Sequence, residues 1–274
     1  MTLSARLSLD NRLKRNKIPF DTIYASYCCG VSLIFMRKIY IGRFVGRVFA
    51  LFGVTVLLFL APEQFDVLEG GNFFKRVSLL HILWFVWLTD MLTQLVPATK
   101  AVVALGSQKS FRAHFRPAHL PITLPVLKER MTKATKRAYI VFAVWAALIA
   151  VLGILHGRKI IGNLGLFWIS CFFYVCDLIC VLFWCPFRHF IMKNRCCTTC
   201  RIFNWDHLMM FTPLIYVGGF YSTSLVILSV LVFLVWEWTA LRHPERFDEG
   251  TNQALKCSEC TDLLCINAKK IHKV

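Results

Sequence analysis

Four long apolar runs constrain this chain more than any other feature. They lie at residues 44–61, 77–96, 138–155 and 164–187. A membrane-spanning helix needs about 20 largely apolar residues, and each run is close to that length. The chain is 57% hydrophobic, with 24 Phe and 8 Trp, which is more apolar side chain than a soluble domain of 274 residues needs to fill one core. The sequence therefore predicts an all-α, polytopic integral membrane protein.

A fifth apolar stretch, residues 206–241, is too long for one ordinary helix. Pro213 and the pair Gly218-Gly219 interrupt it, and both residue types weaken a helix. The part before this pair is ~12 residues, or ~18 Å, and cannot cross a ~30 Å hydrocarbon core unaided. We therefore expect five or six transmembrane helices, with a broken or re-entrant fifth apolar segment.

Positive charge is concentrated in alternate connections between the apolar runs. Residues 1–43 carry eight Lys or Arg against two acids, and residues 99–137 carry nine against one. The connection between these, residues 62–76, carries three acids against two bases. The positive-inside rule therefore places the N-terminus and the loops 99–137 and 188–201 in the cytoplasm. A net charge of +17 distributed in this way indicates contact with the lipid bilayer, and no nucleic-acid partner is expected.

Three regions follow from these patterns. Residues 1–43 form a basic cytoplasmic segment, in which Phe20 to Met36 has the composition of a possible interfacial helix. Residues 44–241 form the transmembrane domain, whose basic loop 99–137 ends in a short helix that leads into the third span. Residues 242–274 form a cysteine-containing tail. Because no secretory signal precedes the first span, we expect a multi-pass protein of the plasma membrane with its N-terminus in the cytoplasm.

Two short cysteine clusters flank the fifth apolar stretch. Cys197 and Cys200 form one C-x2-C pair, and Cys257 and Cys260 form another. This spacing lets a turn present two thiolates to one tetrahedral metal, and a stretch that crosses the membrane twice would bring both pairs to one side. Four thiolates suit either zinc or an iron–sulfur cluster. The complete candidate metal set is Cys196, Cys197, Cys200, Cys257, Cys260 and Cys265.

These cysteines leave several functions open. A metal site indicates membrane-associated redox chemistry, in which electrons pass from a protein redox partner to a lipid-soluble acceptor. The alternative is a non-enzymatic transporter or membrane assembly component whose structural zinc closes the last hairpin. A dithiol redox site, or reduced or acylated thiols without a metal, would fit the same residues. The chain has no P-loop, G-x-S-x-G, H-E-x-x-H or Rossmann motif, so enzyme status stays open, as does a homo-oligomer.

Two acids lie inside predicted spans. Asp90 and Asp177 each lie 13 residues into an apolar run, or ~20 Å along a helix, and both runs have the same predicted direction. The two carboxyls should therefore share one depth in the cytoplasmic half of the bilayer, with Gln94 one turn after Asp90. This arrangement indicates an intramembrane polar site for a proton or cation. The alternative is that both carboxyls only hydrogen-bond neighbouring helices.

The fourth apolar run contains four further cysteines: Cys171, Cys176, Cys180 and Cys185. If the run is one helix, only Cys176 and Cys180 share a face, through their i, i+4 spacing. Small apolar packing residues are the expected role for all four. Glu237 lies near the end of the last span, where a carboxyl can reach the membrane interface.

Overall fold

The computed structural model describes six α-helices over residues 20–95, 109–112, 114–118 and 122–259, with side chains from residue 38 onwards. In chain order they are α1 (Phe20–Leu60), α2 (Leu80–Leu95), α3 (Leu124–Gly157), α4 (Asn163–Leu182), α5 (Asp206–Phe211) and α6 (Gly219–Arg242). Short 3-10 and π-helical turns connect them, and no β-strand occurs within these ranges. The all-α prediction is confirmed for this part of the chain.

Among the residues that the structure describes, four helical segments are long and apolar enough to cross a membrane. They are Lys38–Leu60 within α1 and the whole of α3, α4 and α6. α2 is apolar as well, but its 16 residues make it ~24 Å long, which is less than the ~30 Å hydrocarbon core. The prediction of a multi-pass membrane protein agrees with these four candidate spans.

Two helices extend well beyond the predicted apolar runs. α1 is continuous for 41 residues, so no break separates the predicted interfacial helix from the first span. α3 has 34 residues and includes the basic stretch before the third apolar run. A proline inside either helix would stop it, but α1 has none and α3 has only Pro125, in the first turn where proline is tolerated.

Side-chain contacts fix the relative direction of α1 and α4. Arg47 near the start of the first span contacts Asp177 near the end of α4, at 2.6 Å between Nη1 and Oδ2. Two turns later in α1, Thr55 accepts a 2.9 Å hydrogen bond from the indole of Trp168, which precedes Asp177. The residue numbers in these contacts rise along α1 and fall along α4. The two helices are therefore antiparallel.

α2 and α6 run parallel to each other. The hydroxyl of Tyr221 donates to the carbonyl of Leu80 at 3.0 Å, and the indole of Trp84 donates to the hydroxyl of Ser224 at the same distance. Both positions advance together along the two helices. Since α2 and α6 are parallel, each begins at the same end of the bundle.

Trp87 of α2 lies at the centre of the core. Its side chain is fully buried, and its ring centroid lies 5.6 Å from that of Tyr174 and 6.0 Å from that of Phe167, both on α4. Phe211 of α5 completes the group at 5.0 Å. Lipid tails are as apolar as these side chains, so close aromatic packing, rather than exclusion of water, holds the three helices together.

The fifth apolar stretch is broken at the predicted position. α5 continues as a 3-10 turn, Thr212–Tyr216, and the chain then turns through Gly218, whose φ of 72° favours glycine, into α6. The backbone amide of Phe220 donates to the carbonyl of Gly70 at 3.2 Å. The break therefore lies against the connection between α1 and α2, whose 3-10 segment Pro62–Leu68 is itself partly buried in the core.

The tail that follows α6 packs at the end of the bundle where α3 begins. Arg130 of α3 lies 3.5 Å from Asp248, and Arg195 lies 2.7 Å from Glu249. The segment 183–205, the start of α3 and the tail residues 243–259 therefore occupy one end, which we call the basic end. The predicted return of the chain to one side after the fifth stretch is consistent with this packing.

Asn252 fastens the tail to the loop that precedes α3. Its side chain is fully buried, and its amide nitrogen donates to the carbonyls of Lys109 and Arg246 at 3.0 and 2.8 Å. Its amide oxygen accepts from the backbone of Arg116 at 3.4 Å and of Ala254 at 3.1 Å. One side chain thus satisfies four backbone groups, two of them in the loop before α3.

Replacing Asn252 with alanine should release the tail, because these backbone groups lose their partner at a cost of about 1–3 kcal/mol. We expect faster cleavage by trypsin within residues 243–259, measured by mass spectrometry, with little change in the melting temperature of the helices. Ser258→Ala, at an exposed position of the same tail, is the control. Equal cleavage rates in the two variants would contradict this role for Asn252.

Candidate functional site

Arg47 is the centre of a buried ionic network. Its side chain is 7% exposed, and its guanidinium lies 2.6 Å from Asp177 and 3.6 Å from Asp90. It also donates to the carbonyl of Tyr174 at 2.8 Å and stacks over the ring of that residue at 3.9 Å. Both carboxyls expected from the sequence to share one depth therefore contact the same cation, which the sequence interpretation did not include.

The network continues from Asp90 into α5. His207 is fully buried, and its Nε2 lies 3.5 Å from an Asp90 oxygen while its Nδ1 lies 3.1 Å from Asp206. Gln94 reaches the same Asp206 carboxyl at 3.5 Å. Arg43, one turn before Arg47, lies 4.0 Å from Asp90 and is 44% exposed. With His207 protonated, three cations face three carboxylates.

This network ties together four helices: α1, α2, α4 and α5. An unpaired charge at the centre of a span costs about 2.5–3.5 kcal/mol to insert, so mutual pairing is the condition for keeping these groups in the membrane. The sequence does indicate that Arg47 is paired, because an arginine within a predicted span requires a partner. His207 gave no such signal, since a single histidine beside an apolar run has no spacing to interpret.

A second ion pair lies nearer the basic end. Arg201 and Glu237 form a two-pronged pair at 2.7 and 2.6 Å, with side chains only 4% and 12% exposed. The indole of Trp205 donates to the same carboxyl at 2.8 Å, and the indole of Trp236 donates to the Arg201 carbonyl at 2.9 Å. Glu237, expected at the interface, is therefore a buried partner that joins α6 to the segment before α5.

Three thiols form a second cluster at the basic end. The side chains of Cys180, Cys185 and Cys197 line the same cavity. The thiol of Cys197 also lies 3.2 Å from the carbonyl of Cys180, and the amide of Arg188 donates to the Cys185 sulfur at 3.4 Å. All three cysteines are free thiols. We call them the thiol chain.

The helix ends early enough to make this contact possible. α4 stops at Leu182, and Cys185 precedes Pro186, which begins a π-helical turn, Phe187–Met192. On a regular helix, the rotation of 100° per residue would place Cys185 on a different face from Cys180. Because α4 ends before Cys185, this rotation does not apply to it. The expectation that these cysteines only pack apolar surface rested on a helix reaching residue 187.

The predicted metal ligands are only partly within the described residues. Cys197 and Cys200 are both buried, and the Cys200 amide donates to the Cys197 carbonyl at 2.9 Å, which closes a turn. Cys196 contacts the Thr198 hydroxyl at 3.1 Å. Cys257 is partly buried in the turn Cys257–Glu259, while Cys260 and Cys265 lie outside the described residues. Among the residues that are described, no group of three or more His, Cys, Asp or Glu side chains could hold a metal ion.

The pKa values of the cysteines in this region are shifted in opposite directions. Bonds from the thiols of Cys180 and Cys197 lower the pKa of Cys185 far below its usual range, because they stabilise its thiolate. The same bond to Cys185, followed by burial, raises the pKa of Cys197. Burial raises the pKa of Cys200 to about 11. Cys185 is therefore the candidate nucleophile of the group.

A cavity of about 360 Å³ connects the thiols to the ionic network. All three members of the thiol chain line it, and so do Asp177 and Asp206. Most of the remaining wall is apolar and aromatic, from Trp145, Phe173, Ile179, Trp184, Phe187, Phe203, Met209 and Met210. A volume of this size, with apolar walls and a few polar groups, is typical of a site for a small organic molecule.

Comparison of this chain with protein-family models, with curated proteins and with solved structures found no match. The function must therefore follow from the chemistry of the side chains, above all from the thiol chain and the carboxylates that share its cavity.

The acidity of Cys185 gives a direct test. A thiolate at neutral pH reacts with methyl methanethiosulfonate at a rate that changes little between pH 6 and 8, because the pH stays above its lowered pKa. Cys200, with its raised pKa, should react about tenfold faster for each unit of rising pH in this range. Quantitative mass spectrometry of the labelled peptides measures both rates. A tenfold rise per pH unit at Cys185 would contradict the assignment.

Proposed function

We propose that this protein is a membrane thiol oxidoreductase, which takes two electrons from a cytosolic dithiol and passes them to a lipid-soluble quinone. One observation carries the proposal: three thiols and two carboxylates line the same apolar cavity. The thiols supply electrons in pairs, and the carboxylates can exchange the protons that accompany them. The apolar wall suits an aromatic, uncharged ring.

The reaction balances with the residues present. A cytosolic dithiol reduces a Cys185–Cys197 disulfide by exchange, giving two thiols and an oxidised donor. The Cys185 thiolate then adds to the quinone ring, and Cys197 attacks the Cys185 sulfur. The S–S bond forms as the S–C bond breaks, and the ring leaves with two electrons and takes up two protons to become the quinol. Cys197 lies in a connecting segment, and so it is freer than Cys180 to approach Cys185.

Asp177 and Asp206 are assigned to proton supply. Quinone reduction consumes two protons in an apolar cavity, where water alone supplies them poorly. Asp177 is bound to Arg47, and Asp206 is bound to His207, so each carboxyl borders the cavity on one side and the ionic network on the other. Proton exchange along this network would connect the cavity to Asp90 and Arg43.

The proposal includes a topology. Six segments cross the membrane, namely α1 to α4, the short α5 with its 3-10 turn, and α6. The basic end faces the cytoplasm of a plasma membrane, which follows from the positive-inside rule, and the N-terminus and tail lie on the same side. A short fifth segment is compatible with the contact between Phe220, at the start of α6, and Gly70, because the connection after α1 would cover the rest of the bilayer thickness. This topology places the thiol chain within reach of cytosolic donors.

A second candidate is a non-enzymatic transporter or assembly component with a structural zinc. The closed turn between Cys197 and Cys200 favours it, since such turns present two thiolates to one metal. Tail cysteines Cys257 and Cys260 would complete the site, and an iron–sulfur cluster on the same ligands would make it a redox centre. In both versions the metal contributes to folding or to electron transfer, Cys197 is one of its ligands, and Cys180 and Cys185 are neighbours of the site.

Anaerobic purification followed by analysis of zinc, iron and sulfide per chain separates these functions. The oxidoreductase should contain less than one metal ion per chain, and it should reduce a soluble quinone with dithiothreitol as donor. Differential alkylation should then find the Cys185–Cys197 disulfide after quinone is added without the donor. One zinc per chain, without quinone reduction, would overturn the proposal in favour of the structural site. Iron with sulfide would favour the cluster.

A further inference from the structure

A groove separates α1 from α2 on the outside of the bundle. α1 packs mainly on α4, and α2 packs mainly on α6, which leaves a cavity of about 650 Å³ between the two helices. The α1 wall includes the small residues Gly46, Ala50 and Gly53, and no atom of the described residues lies within 4 Å of a Cβ placed at either glycine. Of the four candidate spans, Lys38–Leu60 has the smallest buried share, so this groove faces the lipid.

The groove has one polar end and one apolar end. Arg43, Thr89 and Thr93 lie at the end nearer the cytoplasm in the proposed topology, together with Asp90. The opposite end is lined by aliphatic side chains: Val54, Leu57, Leu79, Leu80, Ile82 and Leu83. Arg43 is 44% exposed and lies 4.0 Å from Asp90, whose nearer contacts are Arg47 and His207 at 3.6 and 3.5 Å. Its charge is therefore available to a ligand in the groove.

The groove is long enough for a lipid chain. Arg43 and Leu57 are 14 residues apart on one helix, so the groove is ~21 Å long, compared with ~15 Å for one leaflet of the hydrocarbon core. The polar end of the groove lies closer to the cytoplasm than the aliphatic end. Headgroup and acyl chain have the same order in a single leaflet. A second protein copy would instead require a surface that projects into this concave space along its whole length.

We propose that the α1–α2 groove holds one phospholipid with an anionic headgroup, its phosphate on Arg43 and one acyl chain along the small side chains to Leu57. The inference does not depend on the thiol chemistry. It assigns a structural or regulatory lipid to a surface on the far side of α4 from the thiol cavity. Arg43 supplies the charge, and Gly46, Ala50 and Gly53 supply the room.

Native mass spectrometry of the protein in detergent, titrated with phosphatidylglycerol or phosphatidylcholine, tests the proposal. Wild type should retain one phosphatidylglycerol more tightly than phosphatidylcholine. Arg43→Gln should weaken retention of phosphatidylglycerol about tenfold, because a charge-assisted contact is lost. Gly53→Leu should weaken both lipids, because it fills the groove. Arg242→Gln, at the same end on α6 but outside the groove, is the control and should bind as wild type does.

The other outcomes are decisive too. Unchanged melting temperatures of the variants would show that they fold, and a folded Arg43→Gln with wild-type retention would overturn the proposal. Equal displacement of the lipid by inorganic phosphate would show a headgroup site without a chain. A dimer that Gly53→Leu dissociates would assign the groove to a second copy of the chain. Quinone reduction by Gly53→Leu, which replaces no residue of the ionic network, would leave the proposed function intact if the lipid is lost, so the two proposals can fail separately.

Discussion

Replacing Arg47 with methionine should lower the free energy of unfolding by about 3–5 kcal/mol, because it leaves Asp177 and Asp90 buried without their shared cation. Methionine keeps most of the side-chain volume, so the loss reports charge rather than a cavity. The effect should appear as a lower melting temperature in detergent and as unfolding at a lower mole fraction of dodecyl sulfate. Tryptophan fluorescence follows both transitions, since Trp87 packs against Tyr174 beneath the Arg47 guanidinium.

A double variant makes this prediction specific. Arg47→Met combined with Asp177→Asn removes the cation and its nearest carboxylate together, so much of the lost stability should return. Arg43→Met is the matched control, because this arginine is 44% exposed and its nearest carboxyl is 4.0 Å away, and it should change stability by less than about 1 kcal/mol. If the double variant is as unstable as the two single losses added together, the pair does not act as proposed.

Gly219→Ala should destabilise the protein by about 3 kcal/mol, because a methyl group there collides with backbone and the residue has a left-handed conformation. The φ of Gly219 is 72°, and an added Cβ would lie 2.2 Å from the carbonyl oxygen of Leu68. Neither backbone can move freely, since Phe220 donates to Gly70 across the same contact. The variant should therefore separate the fifth segment from the connection after α1.

Gly70→Ala is the comparison for this variant. Gly70 has a φ of 51°, but the space beside it is open, so only the conformational cost of about 1 kcal/mol applies. Melting temperatures of both variants in the same detergent measure the difference. A Gly219 variant no less stable than the Gly70 variant would show that the chain relaxes at this contact and that the break is a flexible joint.

Parts of this arrangement could be predicted from the sequence because they depend on local properties. The break at Gly218 follows from the weakness of proline and glycine in helices. The shared level of Asp90 and Asp177 follows from counting residues along two helices, and both carboxyls do contact Arg47. Such inferences need only the rise per residue and the direction of each run.

The remainder depends on where the chain leaves regular geometry. The thiol chain exists because α4 ends at Leu182, three residues before Cys185, and periodicity beyond a helix end has no meaning. His207 belongs to the network because α5 approaches α2, a contact between residues more than a hundred positions apart. The sequence predicts which residues are expensive to bury, but it does not predict which partners the packing of helices will bring to them.

The buried network also orders the biogenesis of this protein. Arg47 enters the bilayer with α1, but Asp177 is synthesised 130 residues later. Until then the first span carries a cation near its start, which costs less than the about 2.5–3.5 kcal/mol of a charge at the membrane centre and is offset by the apolar residues around it and by Asp90 once α2 has entered. Early spans should therefore stay beside the translocon until α4 is complete. A nascent chain truncated before residue 177 should insert α1 less efficiently than the same chain with Arg47→Leu.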